Sequence, residues 1–167
     1  TTLFRSQSIS SKANSRLYYL KRLKRAGLST DELLCFYCTI IRPVLEYACV
    51  VWHHGLTRAQ SDHLEALQKR ALRIIFGKIV FGMPYYFLLQ YGKLETLSQR
   101  RAMLGQSFFN KLCDHENCLN HLLPSKRSPS ITDRLRHALT FEVPRTRTDC
   151  YCSFITYALA NYQNKEK

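Results

Sequence analysis

The chain has 167 residues, with 25 Lys and Arg against 12 Asp and Glu, a formal net charge of +13. Hydrophobic residues make up 46% of it, enough for one packed domain and too many for global disorder. The longest apolar run, Ile79 to Leu89, is broken by Gly82 and Pro84 and falls short of the roughly 18 apolar residues a membrane-spanning helix needs, and the opening TTLFRSQSIS lacks the apolar block of a secretory leader.

The apolar spacing reads as helices in chain order. In the first, Ile9, Ala13, Leu17, Leu20 and Leu23 form one stripe, with Ser10 or Ser11 as the expected cap and Gly27 as the stop. The second opens at Ser29-Thr30-Asp31-Glu32, a capping-box pattern in which Glu32 reaches back to the first turn. It continues through Leu33, Leu34, Tyr37, Ile40 and Ile41 to Trp52 and stops before Gly55. Pro43 lies inside it and removes one N–H, so a kink or break is expected near Arg42. The third opens at Thr57 with Gln60 three residues on, and carries Leu64, Leu67, Ala71, Leu72, Ile74 and Ile75 before Gly77. Gly77, Gly82 and Pro84 mark a connector. A short helix is predicted over 85–91, ended by Gly92, and another over 95–113. Residues 124–149, with Pro124, Pro129 and Pro144, read as basic and irregular, and 151–163 as a last short helix. No stretch alternates at period two, so the expected class is all-α.

The charge is unevenly placed. Residues 1–30 hold Arg5, Lys12, Arg16, Lys21, Arg22, Lys24 and Arg25 and no acid. Lys126, Arg127, Arg134, Arg136, Arg145 and Arg147 form a late cluster. A chain this basic is expected to meet a polyanion, most commonly nucleic acid. On the first helix Tyr18, Lys21, Arg22 and Arg25 fall together, opposite the Leu stripe. Basic groups interleaved with an aromatic pair with phosphates and stack on a base or sugar, whereas the plainer alternative is a solvated face. The third helix adds Lys69, Arg70 and Arg73, and the fifth adds Arg100 and Arg101. A footprint distributed in this way suits backbone tracking better than reading a short sequence.

Other residues carry weaker chemistry. Seven Cys are too few for a disulfide scaffold of this size and fit a reducing, intracellular setting, nucleus or cytoplasm. Cys35 and Cys38 have half a zinc spacing but lie in a helical apolar stretch, where free thiols are common. Cys113, His115, Cys118 and His121 crowd together without matching a four-ligand zinc template, so no metal is assigned. His53 and His54 are placed at a helix end, and Glu46 is expected to pair with Arg42 one turn earlier. No glycine-rich phosphate loop, nucleophile elbow or Asp-Asp pair is present, so no catalytic residue is assigned.

The central block is more specific. Tyr37-x-x-x-Ile41-Arg42-Pro43-Val44-Leu45-Glu46-Tyr47-Ala48, Val51-Trp52-His53 and Leu64-Glu65-x-x-Gln68-Lys69-Arg70-Ala71-Leu72-Arg73-Ile74-Ile75 resemble the segment after the palm in non-LTR (LINE-type, jockey-like) retrotransposon reverse transcriptases. Ala13-Asn14-x-Arg16-Leu17-Tyr18-x-Leu20-x-Arg22-Leu23 and Arg25-Ala26-Gly27-Leu28 are similar upstream. Leu97-x-x-Arg100-Arg101, Leu122-Leu123-Pro124 and Ser153-Phe154-Ile155-x-Tyr157-Ala158 look like the family's tail. The chain departs from the family at Cys38 and near Cys150, where members usually carry a basic residue.

The resemblance implies a small helical bundle, the polymerase thumb, over 1–77. A looser helical post-thumb region over 78–123 and a basic, partly irregular tail over 124–167 would follow. It implies a fragment that grips an RNA–DNA or DNA duplex beside the remainder of the parent polymerase, away from any membrane. The Asp-Asp palm and its Mg would lie upstream, outside this chain, which on its own would be no enzyme and hold no cofactor. The competing readings are a sequence-specific helical DNA-binding domain, a protein-interaction module and a non-functional element remnant.

Overall fold

The computed structural model describes residues 2–77, 82–128, 141–142 and 148, with backbone only for 2–7. The expected helix over 151–163 and the late basic residues Arg134, Arg136, Arg145 and Arg147 lie outside the described residues. The regular elements are α1 (Thr2–Arg25), α2 (Thr30–Phe36), α3 (Arg42–Glu46), α4 (Cys49–Trp52), α5 (Arg58–Phe76), α6 (Tyr85–Tyr91) and α7 (Leu97–Leu112). A π turn, Tyr37–Ile41, joins α2 to α3, and 3₁₀ turns occupy His53–Gly55 and Asn120–Leu122. Among the described residues extended pairing amounts to one bridge, Lys126 with Phe141. The class is all-α.

The helix ends follow from local chemistry. Ser29 Oγ accepts from the Glu32 N–H, and the Glu32 carboxylate accepts from the Ser29 N–H at 2.8 Å. Thr57 and Gln60 form the same reciprocal box at the start of α5. Each box satisfies N–H groups that have no partner inside the helix. A third, Thr96 with Gln99, opens α7 and went unread in the sequence. Gly27 takes φ 90° after α1, where the Leu28 N–H returns to the Leu23 carbonyl. At the end of α6 it is Lys93, not Gly92, that takes positive φ (50°). Gly92 has a different reason: a Cβ there would stand 3.4 Å from the Phe76 ring.

One expectation about the first half is corrected: α1 begins at Thr2, well before the expected cap, and Ser10 is a buried residue in mid-helix. The distortion expected near Arg42 is present, as a widened turn and not a stop at Pro43. Proline has no N–H and its ring crowds the carbonyl four residues back, and the helix absorbs both by widening one turn. The Arg42 N–H bonds five residues back to the Tyr37 carbonyl. The true break comes later, at Tyr47 (ψ 123°) and Ala48 (φ 50°).

The run Thr30–Gly55 is long and apolar enough to pass as a membrane-crossing helix by length and composition. An uninterrupted apolar count missed it because Arg42 and Glu46 divide it. Its backbone leaves helical geometry at Tyr47 and Ala48, and Leu33, Tyr37, Ile41 and Leu45 point into a protein core.

The contacts divide the chain into two units. The first is Thr1–Cys49 with Leu56–Arg101. Ala13, Leu17 and Leu20 of α1, Leu64, Ala71, Leu72 and Ile75 of α5, and Leu88 of α6 are fully or almost fully buried in it. Each of these larger side chains contributes about 1.5–3 kcal/mol. Within this unit Arg70 donates to Asn14 Oδ1 at 3.3 Å and Lys24 donates to the Ile75 carbonyl at 2.9 Å. The two bonds follow the same order along both helices, so α1 and α5 run in the same direction.

The second unit is Val50–Gly55 with Ala102–Lys167. Phe109 and Phe141 are buried there, their rings edge-on at 5.8 Å, with Cys113 and Leu123 against them. The Asn117 and Asn120 side chains donate to the Lys111 and Leu112 carbonyls, closing the last turn of α7.

Candidate nucleic-acid interface

The α1–α5 contact sets the geometry of the basic residues. Asn14 lies on the flank of α1 that meets Arg70. At ~100° per residue, Lys21, Arg25, Tyr18 and Arg22 fall successively on that same flank. They lie on the side of α1 away from the buried Ala13, Leu17 and Leu20, as the sequence reading had them. All four are exposed, Tyr18 by 58% and in edge-on contact with Tyr19 at 5.7 Å.

On α5, Arg70 faces α1, while Phe76 and Glu65 face α6: Phe76 meets the Tyr91 ring at 4.9 Å, and Glu65 accepts from Tyr85 Oη at 2.8 Å. Helical spacing places Arg73 and Lys69 between those flanks, on the outer surface. Arg70 and Arg73 are exposed and Lys69 is half-buried. The outer ridge of α5 therefore carries three cations, with the four residues of α1 on its Arg70 side.

Three acids of this unit, Glu32, Glu46 and Glu65, are bonded elsewhere, whereas Asp31 and Asp62 are exposed. Glu32 is tied into its capping box, and bonds from the Ser29 backbone and hydroxyl hold its carboxyl below the usual 4.5. Glu65 accepts from Tyr85 and from the Ser98 N–H at 2.6 Å. Glu46 is bonded by Arg100 Nε and by Nη2 at 3.3 Å. Arg100 also lies 3.9 Å from the Glu95 carboxylate. The acid on α5's outer face, Asp62, precedes Lys69 by seven residues, about 10 Å along the axis, which is close to a Debye length at physiological salt. The side chains named on the α1–α5 surface are predominantly cationic.

Two expected contributors leave the footprint. Arg100 is committed to Glu46, which also corrects the expected Arg42–Glu46 pair. Arg101 is fully buried and donates to Ser61 Oγ at 2.9 Å, and burial pushes its guanidinium below the usual range. The sequence carried a sign of this, because Arg101 shares a helical stripe with Leu97, Gly105, Phe109 and Leu112, all buried. Tyr37 is another buried polar residue: burial pushes its phenol far above the usual range, and among the described residues its Oη has no hydrogen-bond partner. Arg16 and Lys24 serve the fold, donating to the Ile40 and Ile75 carbonyls.

The thiol and imidazole clusters do not converge. Among the described residues no three His, Cys, Asp or Glu side chains are grouped closely enough to hold an ion. His121 Nδ1 lies 2.8 Å from the Cys118 carbonyl, and Cys35 and Cys38 are free thiols. His53 and His54 sit in the 3₁₀ turn with rings 5.1 Å apart, and burial pushes the His54 imidazole below the usual 6.5.

One group escaped the sequence reading. The outer face of α6 is Tyr86, Phe87, Gln90 and Tyr91, all exposed, while Leu88 and Leu89 turn inward. The available sign was the composition of the helix: YYFLLQY contains no charged residue.

No protein-family model, curated protein or solved structure matches the chain.

Proposed function

We propose that this chain holds a nucleic-acid duplex, an RNA–DNA hybrid or DNA, through its phosphates and catalyses nothing by itself. The reading follows the resemblance to the thumb and post-thumb region of non-LTR retrotransposon reverse transcriptases. In that setting the remainder of the polymerase is the partner, and its palm carries the Mg-dependent chemistry. The observation that supports it best is the α1–α5 surface: exposed Lys21, Arg22 and Arg25 beside exposed Arg70 and Arg73 and half-buried Lys69, with Glu32, Glu46 and Glu65 bonded elsewhere. Lysine and arginine cations on flexible stems, spread over two helices, pair with a phosphate backbone without reading bases. Tyr18 stands among them as a stacking side chain.

The test is competition. A labelled RNA–DNA hybrid bound at low salt is challenged with unrelated DNA duplexes of equal length. Equal competition by all of them is the expected result. One sequence favoured by about 4 kcal/mol or more would make the chain a sequence-specific reader instead. Failure to bind the hybrid at all would remove the reading.

A further inference from the structure

The outer face of α6 has no charge on a chain of net charge +13, and it is aromatic over almost all its surface. Tyr86 is 63%, Phe87 53% and Tyr91 61% exposed. These rings are held in place. Gln90 donates to Tyr86 Oη at 2.7 Å, Tyr86 and Phe87 meet edge-on at 5.9 Å, and Tyr91 stands at 87° to Phe76. Three ordered aromatic rings exposed on one seven-residue helix form a surface that soluble chains ordinarily cover.

The neighbours identify the occupant. Phe76, which fixes Tyr91, is one turn beyond Arg73 on α5, and Lys69 is one turn before Arg73 on the same side. Lys93 is exposed just past the end of α6. An aromatic surface bordered by cations is complementary to a single nucleic-acid strand, whose bases offer π faces and whose backbone offers phosphates. A protein partner of matching chemistry would need an apolar patch framed by acids, whereas a duplex end with an unpaired strand supplies both groups from one molecule.

We propose that Tyr86, Phe87 and Tyr91 form a stacking site for unpaired bases, so that the favoured ligand is a duplex with a single-stranded extension. The site rests on the reading of the α1–α5 surface as a phosphate-binding face, and it adds base contact on the far side of the α5 ridge. Stacking is tolerant of sequence, so the preference is for exposed bases and not for a particular order of them.

The experiment uses the whole chain and three DNA ligands: a blunt duplex, the same duplex with an overhang of about eight nucleotides, and that overhang made abasic. Fluorescence anisotropy gives the three affinities. The base-bearing overhang is expected to bind at least about fivefold more tightly than the abasic one. The double variant Tyr86→Ala/Phe87→Ala is expected to lose that preference and keep the blunt-duplex affinity, with its helix content checked by circular dichroism. The wild-type comparison of base-bearing with abasic overhang needs no variant. Equal affinities there would overturn the site while leaving the phosphate reading intact, and so would a folded double variant that keeps the preference. A variant that instead breaks up a self-associated chain and keeps the preference would assign the face to contact between copies. A chain that binds none of the three ligands would overturn both readings.

Discussion

Arg100 grips Glu46 across 54 positions of sequence, while Arg42, one turn before Glu46 on the same helix, does not. The guanidinium meets both carboxylate oxygens, and the pair is largely shielded, with side-chain exposures of 28% and 12%. A shielded, forked pair is worth more than an intrahelical one on a wet surface.

Removing Arg100 leaves the Glu46 carboxylate shielded and short of its partner. Arg100→Met is expected to lower unfolding stability by about 2 kcal/mol, and Arg42→Ala to change it by less than about 0.5 kcal/mol. Urea unfolding of the two variants checks this, and the reverse order would contradict the pairing.

The capping boxes give a second prediction. Ser29→Ala and Thr57→Ala are each expected to cost about 1 kcal/mol near neutral pH. The Ser29 effect also depends on pH. Glu32 titrates below 4.5 when folded, so its contribution is complete above 4.5 and is lost as pH falls through the lower folded value. The gap between wild type and Ser29→Ala should therefore narrow in acid, while the Thr57→Ala gap, which involves the neutral Gln60, should hold. Urea midpoints measured down through pH 4.5 test this.

Ala48 ends α3's run at φ 50°, a conformation that costs a residue with a Cβ about 1 kcal/mol. Ala48 is exposed, so no packing opposes a change there. Ala48→Gly is expected to raise the melting temperature by about 3 °C. An unchanged or lower value would show that the loss of unfolded-chain restriction outweighs the relief.

Local rules carried the fold further than the site. Two capping boxes, the stops at Gly27 and Gly77, and the span of α6 were legible because each depends on residues within four positions of one another. The start of α1 was not, because a serine that caps a helix and a serine buried within one look alike without their neighbours. Pro43 marked a distortion, but whether a helix stops or widens there depends on the turn that receives it.

Tertiary placement was hidden for the same reason. Lys21, Arg22, Arg25, Lys69, Arg70 and Arg73 were legible as cations, and it is the Asn14–Arg70 contact that puts them on one surface. Arg100 and Arg101 look equally cationic in sequence, yet one is bound to Glu46 and the other is buried beside Ser61. The α6 aromatics carried no reading beyond a short helix, because the sequence does not say which side of a short apolar helix is left uncovered.

The proposed binding of nucleic acid by the α1–α5 surface, through about six phosphates, is tested by salt titration. For the wild-type chain on an RNA–DNA hybrid, the plot of log affinity against log salt should fall with a slope of about −5, and each of Lys21→Ala, Arg70→Ala and Arg73→Ala should make it shallower by about 1. An affinity that does not change with salt, or a slope that stays the same when these cations are removed, would rule out phosphate binding by this surface.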